Sequence, residues 1–205
     1  MISLHEAQNF VLDSVKELST ETLGISSVSS TVIAESVFSH EFIPPFDNTA
    51  VDGYAVRARD TVGADKQNQI ELMVIGSIAA GSQPDFELEC GQSAKIMTGA
   101  PLPAGADAVV MVERTTTNDD GSVVFIDKAV HEGDHIRKAG EDLEPGDLVI
   151  EEGTYLAPAH IGLLASVGIY QIKTIRRPVI GVFSTGDELV QGSQTLQPGH
   201  IRYYN

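Results

Sequence analysis

The sequence predicts a mixed α/β chain, mainly β, with one leading helix, a β-rich body and the start of an α/β unit near its end. Three observations carry this reading. Short segments rich in Val, Ile and Thr recur between residues 70 and 130, separated by clusters of Gly, Pro, Asn and Asp. Helical character is confined to two stretches, one near the N-terminus and one at residues 158–168. Residues 178–183 (PVIGVF) are an uninterrupted apolar run ending in a small-residue turn, as a buried parallel strand does on entering an α/β unit.

Each element has its own signal. Ser3 and Glu6 have the spacing of a capping box. Leu4, Ala7, Val11, Val15 and Leu18 then share one helical face, which predicts a helix fading near residues 20–24. Residues 28–38 mix β-branched residues with Ser and read as extended. The double proline at 44–45 excludes helix there. An ordered loop with Asp47, Asn48, Asp52 and Gly53 follows, then a short strand at 54–56. Further strands are predicted at 71–75, 92–97, 108–111 and 123–126, with a hairpin turn at 118–121. After a loop at 139–142 come a strand at 148–150, the helix at 158–168 stopped by Gly168, and a strand at 169–175.

Composition excludes several functions. Hydrophobic residues are 42% and charged ones 20%, enough apolar material for a core. Lys and Arg number 13 against 29 Asp and Glu, a net charge of −16. The basic pairs Arg57/Arg59, Arg137/Lys138 and Arg176/Arg177 are too short for a phosphate-tracking face, so nucleic acid and anionic membrane are not expected partners. A local site can still take an anionic small molecule. The single cysteine, Cys90, suits a reducing compartment. No basic start followed by an apolar run opens the chain, and no stretch has the length of a membrane span. These features predict a soluble cytoplasmic protein.

Residues 131–135 read HEGDH, a literal H-E-x-x-H. That zinc motif works on a helix, where the two imidazoles lie one turn apart. Gly133 and Asp134 disfavour a helix, so a solvated connection is the better reading. No P-loop, no G-x-G-x-x-G after a strand and no G-x-S-x-G elbow occurs. Four loops remain: Asp47–Tyr54 with two carboxylates, Thr98-Gly99-Ala100 with a hydroxyl and amides suited to an oxyanion, Gly140-Glu141-Asp142, and Ser184-Thr185-Gly186-Asp187-Glu188. Any one of them alone is an ordinary turn.

As whole strings they say more. PPFDNTAVDGYAVRA (44–58), KIMTGAPLPAGADAVVMVE (95–113), IRKAGEDLEPGD (136–147) and RPVIGVFSTGDELV (177–190), in this order, resemble the molybdopterin molybdenumtransferase family, the MoeA proteins and the gephyrin E-domain. The resemblance runs from the first helix to Asn205. It implies an elongated linker and dimerisation domain from residues 26–45 and 141–176, and a β-rich second domain from 46–140. It also implies the start of a truncated, MogA-like α/β molybdopterin-binding domain at 177–205, with the helix of 1–25 packed towards it.

The implied activity is insertion of molybdenum from molybdate into adenylylated molybdopterin, assisted by Mg2+, with release of AMP. The implied assembly is a homodimer, with the molybdopterin adenylyltransferase as a further partner. Each active site lies between the α/β domain of one subunit and the second domain of the other. Carried over residue by residue, the catalytic positions fall on Asp52, Asp142 and Glu188. Substrate contacts fall on Thr98, Ser184, Thr185 and Gly186, and metal-holding acids on Asp52, Asp142, Asp187 and Glu188. Thr49, Val51, Asp134, His135 and the Tyr203–Tyr204 pair depart from the usual pattern. The rest of the α/β domain and a C-terminal β domain do not follow, which implies a piece of a longer protein, inactive by itself.

The chemistry is consistent with these residues. Molybdate and pyrophosphate esters are anions, and so are the carboxylates. A hard cation resolves the repulsion by taking oxygens from both. A scaffold or receptor-binding module of the gephyrin type is the alternative. The presence of Asp52, Thr98, Asp142 and Glu188 together favours an enzyme.

Overall fold

A computed structural model describes residues 2–203. The strands of the first half are β1 (Thr20–Gly24), β2 (Val32–Ile33), β3 (Val37–Phe38), β4 (Asn48–Thr49), β5 (Gly53–Val56), β6 (Ile70–Ile78) and β7 (Gln92–Ile96). Those of the second half are β8 (Ala108–Met111), β9 (Thr115–Thr117), β10 (Val123–Ile126), β11 (Ile136–Arg137), β12 (Leu148–Ile150), β13 (Gln171–Ile175), β14 (Leu189–Val190) and β15 (Ile201–Arg202). The helices are α1 (Leu4–Ser14) and α2 (Pro158–Ser166). The mainly-β class expected from the sequence is what forms.

The chain divides into two compact units. One comprises Ser36–Glu151 with Gly162–Ile169. Its centre is a six-stranded sheet in the order β8-β5-β7-β6-β10-β9. Neighbours are antiparallel except β6 and β7, which run parallel through the crossover at 79–91. Side chains alternate across a strand, and here both faces are covered. Tyr54, Val56, Leu72, Val110, Val124 and Ile126 form the core on one face. Ala55, Ala94, Ile96 and Val109, with Ile78 and Leu88, form the core on the other. Two smaller ribbons, β4–β11 and β3–β12, belong to the same unit.

The second unit comprises residues 2–35, Glu152–Ile161 and residues 170–203. In it β13 lies between β1 and β2, antiparallel to both. The boundary between the units falls inside α2. Among the described residues, no helix is long and apolar enough to cross a membrane.

Two expectations change and one, for residues 131–135, holds. The capping box forms, with the Ser3 amide donating to Glu6 Oε2 at 2.7 Å and the Glu6 amide donating to Ser3 Oγ at 3.2 Å. But α1 ends at Ser14, without Val15 or Leu18, and none of its residues is buried. Val15 turns extended, and Thr20–Gly24 pairs along its full length with β13. Five residues of ladder outweigh a helical period that has no surface to pack against.

Residues 178–183 form no strand. Val179 and Phe183 are 91% and 90% exposed. A strand needs a neighbour to receive its amides and carbonyls, and apolar, β-prone residues do not supply one. The only pairing beyond them is the two-residue parallel contact of β14 with β15 among the described residues. Tyr204 and Asn205 lie outside the described residues.

The string 131–135 is a tight turn. Gly133 and His135 have φ of +87° and +60°, and the Asp134 amide donates to His131 O. This turn covers the outer edge of β8, accepting from the Val109 amide through Asp134 O.

Candidate functional site

Asp52 sits in the bend that leads into β5, and its position follows from Gly53. A Cβ on Gly53 would fall inside the van der Waals surface of the Val110 carbonyl oxygen. Only glycine lets β5 lie this close to β8 at that point. The same packing brings the Val112 amide onto Asp52 O at 3.0 Å.

The carboxylate is held from the other side by the turn after β7. Thr98 donates its backbone N–H to Asp52 Oδ1 at 2.7 Å and its hydroxyl to the same oxygen at 2.8 Å. These two bonds, the amide first, hold the Asp52 carboxyl below the ordinary aspartate range, with a smaller contribution from the charge of Lys95. None of these bonds uses Oδ2, and the side chain is exposed.

The Asp52 and Thr98 loops are stitched at their bases. The Gly99 amide donates to Thr49 O at 2.9 Å and the Thr49 amide to Ala100 O at 3.1 Å. Ala100 N donates back to Met97 O at 2.9 Å. Every amide from Thr98 to Ala100 is therefore committed within the protein. The loop does not offer the free amides expected for an oxyanion.

Asp142 lies in a second loop attached to the first. Ile136 and Arg137 pair with Thr49 and Asn48. Asp47 ties the loops further, accepting from Lys138 Nζ at 2.8 Å and from the Ala139 amide at 2.9 Å. The Lys138 bond, then the Ala139 bond, lowers the Asp47 carboxyl. The Asp142 amide donates to Ile43 O at 2.8 Å, and its carboxylate pairs with Arg137. Gly140 has φ of +76° and stands where a Cβ would meet the Phe42 ring at 2.7 Å. No hydrogen bond or ion pair joins Asp142 to Asp52 among the described residues.

Ser184, Thr185, Gly186, Asp187 and Glu188 belong to the other unit. Ser184 and Gly186 line a shallow cleft of about 380 Å³ together with Phe183, Leu189 and Tyr203. Gly186 has φ of +150°, a conformation open to glycine, and the Glu188 carboxylate folds back against it. Among the described residues no three or more His, Cys, Asp or Glu converge as a metal cage.

The sequence reading put Asp52 and Thr98 among the site residues, and the fold brings them together. It passed over Asp47, Lys95, Arg137 and Lys138 as positioning or charged groups. The adjacent basic pair before GED is visible in the sequence; Arg137 finds its partner five residues on, in Asp142, but that of Lys138, Asp47, lies 91 residues away.

Comparison with known proteins agrees with this architecture. The family model for the MoeA N-terminal region (domain I and II) matches residues 2–168. A molybdopterin molybdenumtransferase of Haemophilus influenzae is 39% identical over 202 residues, covering 98% of this chain and 48% of that protein. The molybdopterin molybdenumtransferase of Bacillus subtilis is 37% identical over 206 residues, covering 100% of this chain and 48% of that protein. The crystal structure of the molybdopterin biosynthesis moeA protein from Pyrococcus horikoshii superposes with a TM-score of 0.85 at 34% identity, covering 97% of this chain and 52% of that one. The chain spans about half the length of the curated relatives it matches. With a matching family model over most of its length and the same fold, the chain belongs to the family of the MoeA N-terminal region.

Proposed function

We propose that the chain supplies part of the active site of a molybdopterin molybdenumtransferase, which inserts molybdenum from molybdate into adenylylated molybdopterin and releases AMP. The observation that carries this reading is the Asp52 carboxylate. It is oriented by two Thr98 donors, kept ionised and left with one oxygen open to solvent. Relatives bearing that enzyme name over the matched half support it.

Mg2+ is proposed from the chemistry of the individual acids, since no three His, Cys, Asp or Glu converge among the described residues. Asp52 and Asp142 offer hard carboxylate oxygens, and Mg2+ takes one or two such ligands, with phosphates and waters for the rest. Bound there, the ion supplies charge neutralisation between carboxylates and an anionic substrate. The protein's own part is positional. Thr98 fixes the Asp52 oxygen, and Arg137 fixes that of Asp142.

The same reading includes a cytoplasmic homodimer with its domains bounded near residues 26–45, 46–140, 141–176 and 177–205, acting with the molybdopterin adenylyltransferase. Phe38 and Leu148 are register partners in β3–β12, and they stay 46% and 52% exposed. Such a strip is suited to a subunit contact. Light scattering that gives only 21.9 kDa at tens of micromolar would count against the dimer.

The activity is tested by grafting. The matched half of the Haemophilus influenzae enzyme is replaced by this chain, and the chimera is assayed for molybdenum insertion. Activity that is lost on Asp52→Asn supports the reading. A folded chimera whose activity is indifferent to Asp52 overturns it.

A further inference from the structure

We propose that Lys95 binds the oxyanion of the ligand at the Asp52–Thr98 pair; the inference rests on the reading of this loop as part of a site for a phosphate- or molybdate-bearing substrate.

The need for such a group comes from hydrogen-bond accounting. Thr98 has one amide hydrogen and one hydroxyl hydrogen, and both go to Asp52. The amides of Gly99 and Ala100 go to Thr49 O and Met97 O. A tetrahedral oxyanion arriving beside Asp52 therefore finds a carboxylate and no free amide from Thr98 to Ala100. A cation must come from elsewhere.

Lys95 meets this need by its place in the sheet. It is the register partner of Tyr54 in the β5–β7 pair, so the two side chains share a face. Asp52 stands two residues before Tyr54, exposed in the bend that leads into β5. Tyr54 is buried and Lys95 is exposed. Four other cations of the same unit are occupied: Arg137 by Asp142, Lys138 by Asp47, Arg57 by Asp60 and Arg114 by Asp127. Lys95 makes no ion pair within 4.0 Å among the described residues. In a chain of net charge −16, an ammonium near a fixed carboxylate offsets that charge and reduces the local repulsion of an anion. A lysine suits the task as a compact charge on a flexible stem, able to reach an anion from an adjacent strand.

The test uses the whole isotope-labelled chain and two probes, AMP and molybdate, titrated separately at low salt. Amide shifts at Thr98–Ala100 report the site. Lys95→Met should weaken one probe or both by about tenfold, the size of one charge-assisted hydrogen bond. Lys95→Arg should keep most of the affinity, and added salt should weaken the wild-type chain more than Lys95→Met. The probe that responds tells phosphate from molybdate. Amide resonances unchanged elsewhere show that the variant folds, and Lys95→Gln serves as a second neutral variant. Equal binding by wild type and Lys95→Met overturns the role of Lys95 and leaves the site standing. No shift at Thr98–Ala100 in the wild-type chain with either probe overturns both.

Discussion

Thr98 gives both of its hydrogen-bond donors to a single oxygen of Asp52, at 2.7 and 2.8 Å. The loops that carry these residues meet only because β5 and β7 are neighbours in the sheet. In the proposed site Thr98 therefore has the place of a positioning residue that acts through Asp52. Thr98→Ser keeps both donors and should retain most activity of the grafted enzyme. Thr98→Ala keeps only the amide bond. Loss of positioning of about 1 Å costs about 100-fold in rate, so a fall between tenfold and 100-fold is expected, in kcat more than in KM. Both residues are exposed, so the unfolding free energy of Thr98→Ala should stay within about 0.5 kcal/mol of wild type.

The same bonds set a pH dependence. The folded-state value for Asp52 lies below its value in the unfolded chain. Its stabilising contribution is therefore present above the ordinary aspartate value of about 3.9 and is lost as pH falls through the lower folded value. The Thr98 amide resonance should follow this titration, with a midpoint below the ordinary one. In Thr98→Ala the midpoint should move upward. An Asp52 midpoint at the ordinary value in the wild-type chain would contradict the geometry.

Gly53→Ala should destabilise the β-rich unit. Removing a glycine where the backbone tolerates alanine ordinarily stabilises by about 0.4–1 kcal/mol through the unfolded chain. Here the new Cβ meets the Val110 carbonyl, a backbone atom with no rotamer to change. The overpacking cost of about 1–3 kcal/mol should prevail. Urea denaturation measures it, and a midpoint equal to or above wild type would refute the close approach.

Ser3→Ala should act locally. It removes the hydroxyl that accepts the Glu6 amide, and an N-cap of this kind stabilises by about 1 kcal/mol. Because α1 buries none of its residues, the loss should not spread. Hydrogen exchange should quicken in the first two turns of α1 while the global unfolding midpoint holds. A large global shift would show that the helix carries packing.

Asp47→Asn probes the link between the two acidic loops. It weakens the bond to Lys138 and leaves an amide facing Ala139 N–H. Both side chains are substantially exposed, so screening limits the global cost to about 0–1 kcal/mol. The effect should show in order at residues 138–142, read as faster amide exchange there, and in weaker metal binding by the grafted enzyme.

The sequence by itself determined the parts that depend on near neighbours. The capping box, the hairpin at 118–121, the strands at 108–111 and 123–126 and the non-helical H-E-x-x-H string all follow from propensity, turn chemistry and short-range bonds. The acidic loops were legible for the same reason, since Asp, Asn and Gly mark turns locally. Tertiary structure alone decided which donors and edges these parts find. Asp52 and Thr98 are 46 residues apart, and Asp47 and Lys138 are 91 apart. No local pattern reveals that the Thr98–Ala100 amides are consumed or that Lys95 makes no ion pair among the described residues. Thr20–Gly24 became a strand because β13 was there to pair with it, and the apolar run at 178–183 did not, since it finds no strand partner among the described residues. A hydrogen bond has two ends, and the sequence around one end does not specify the other.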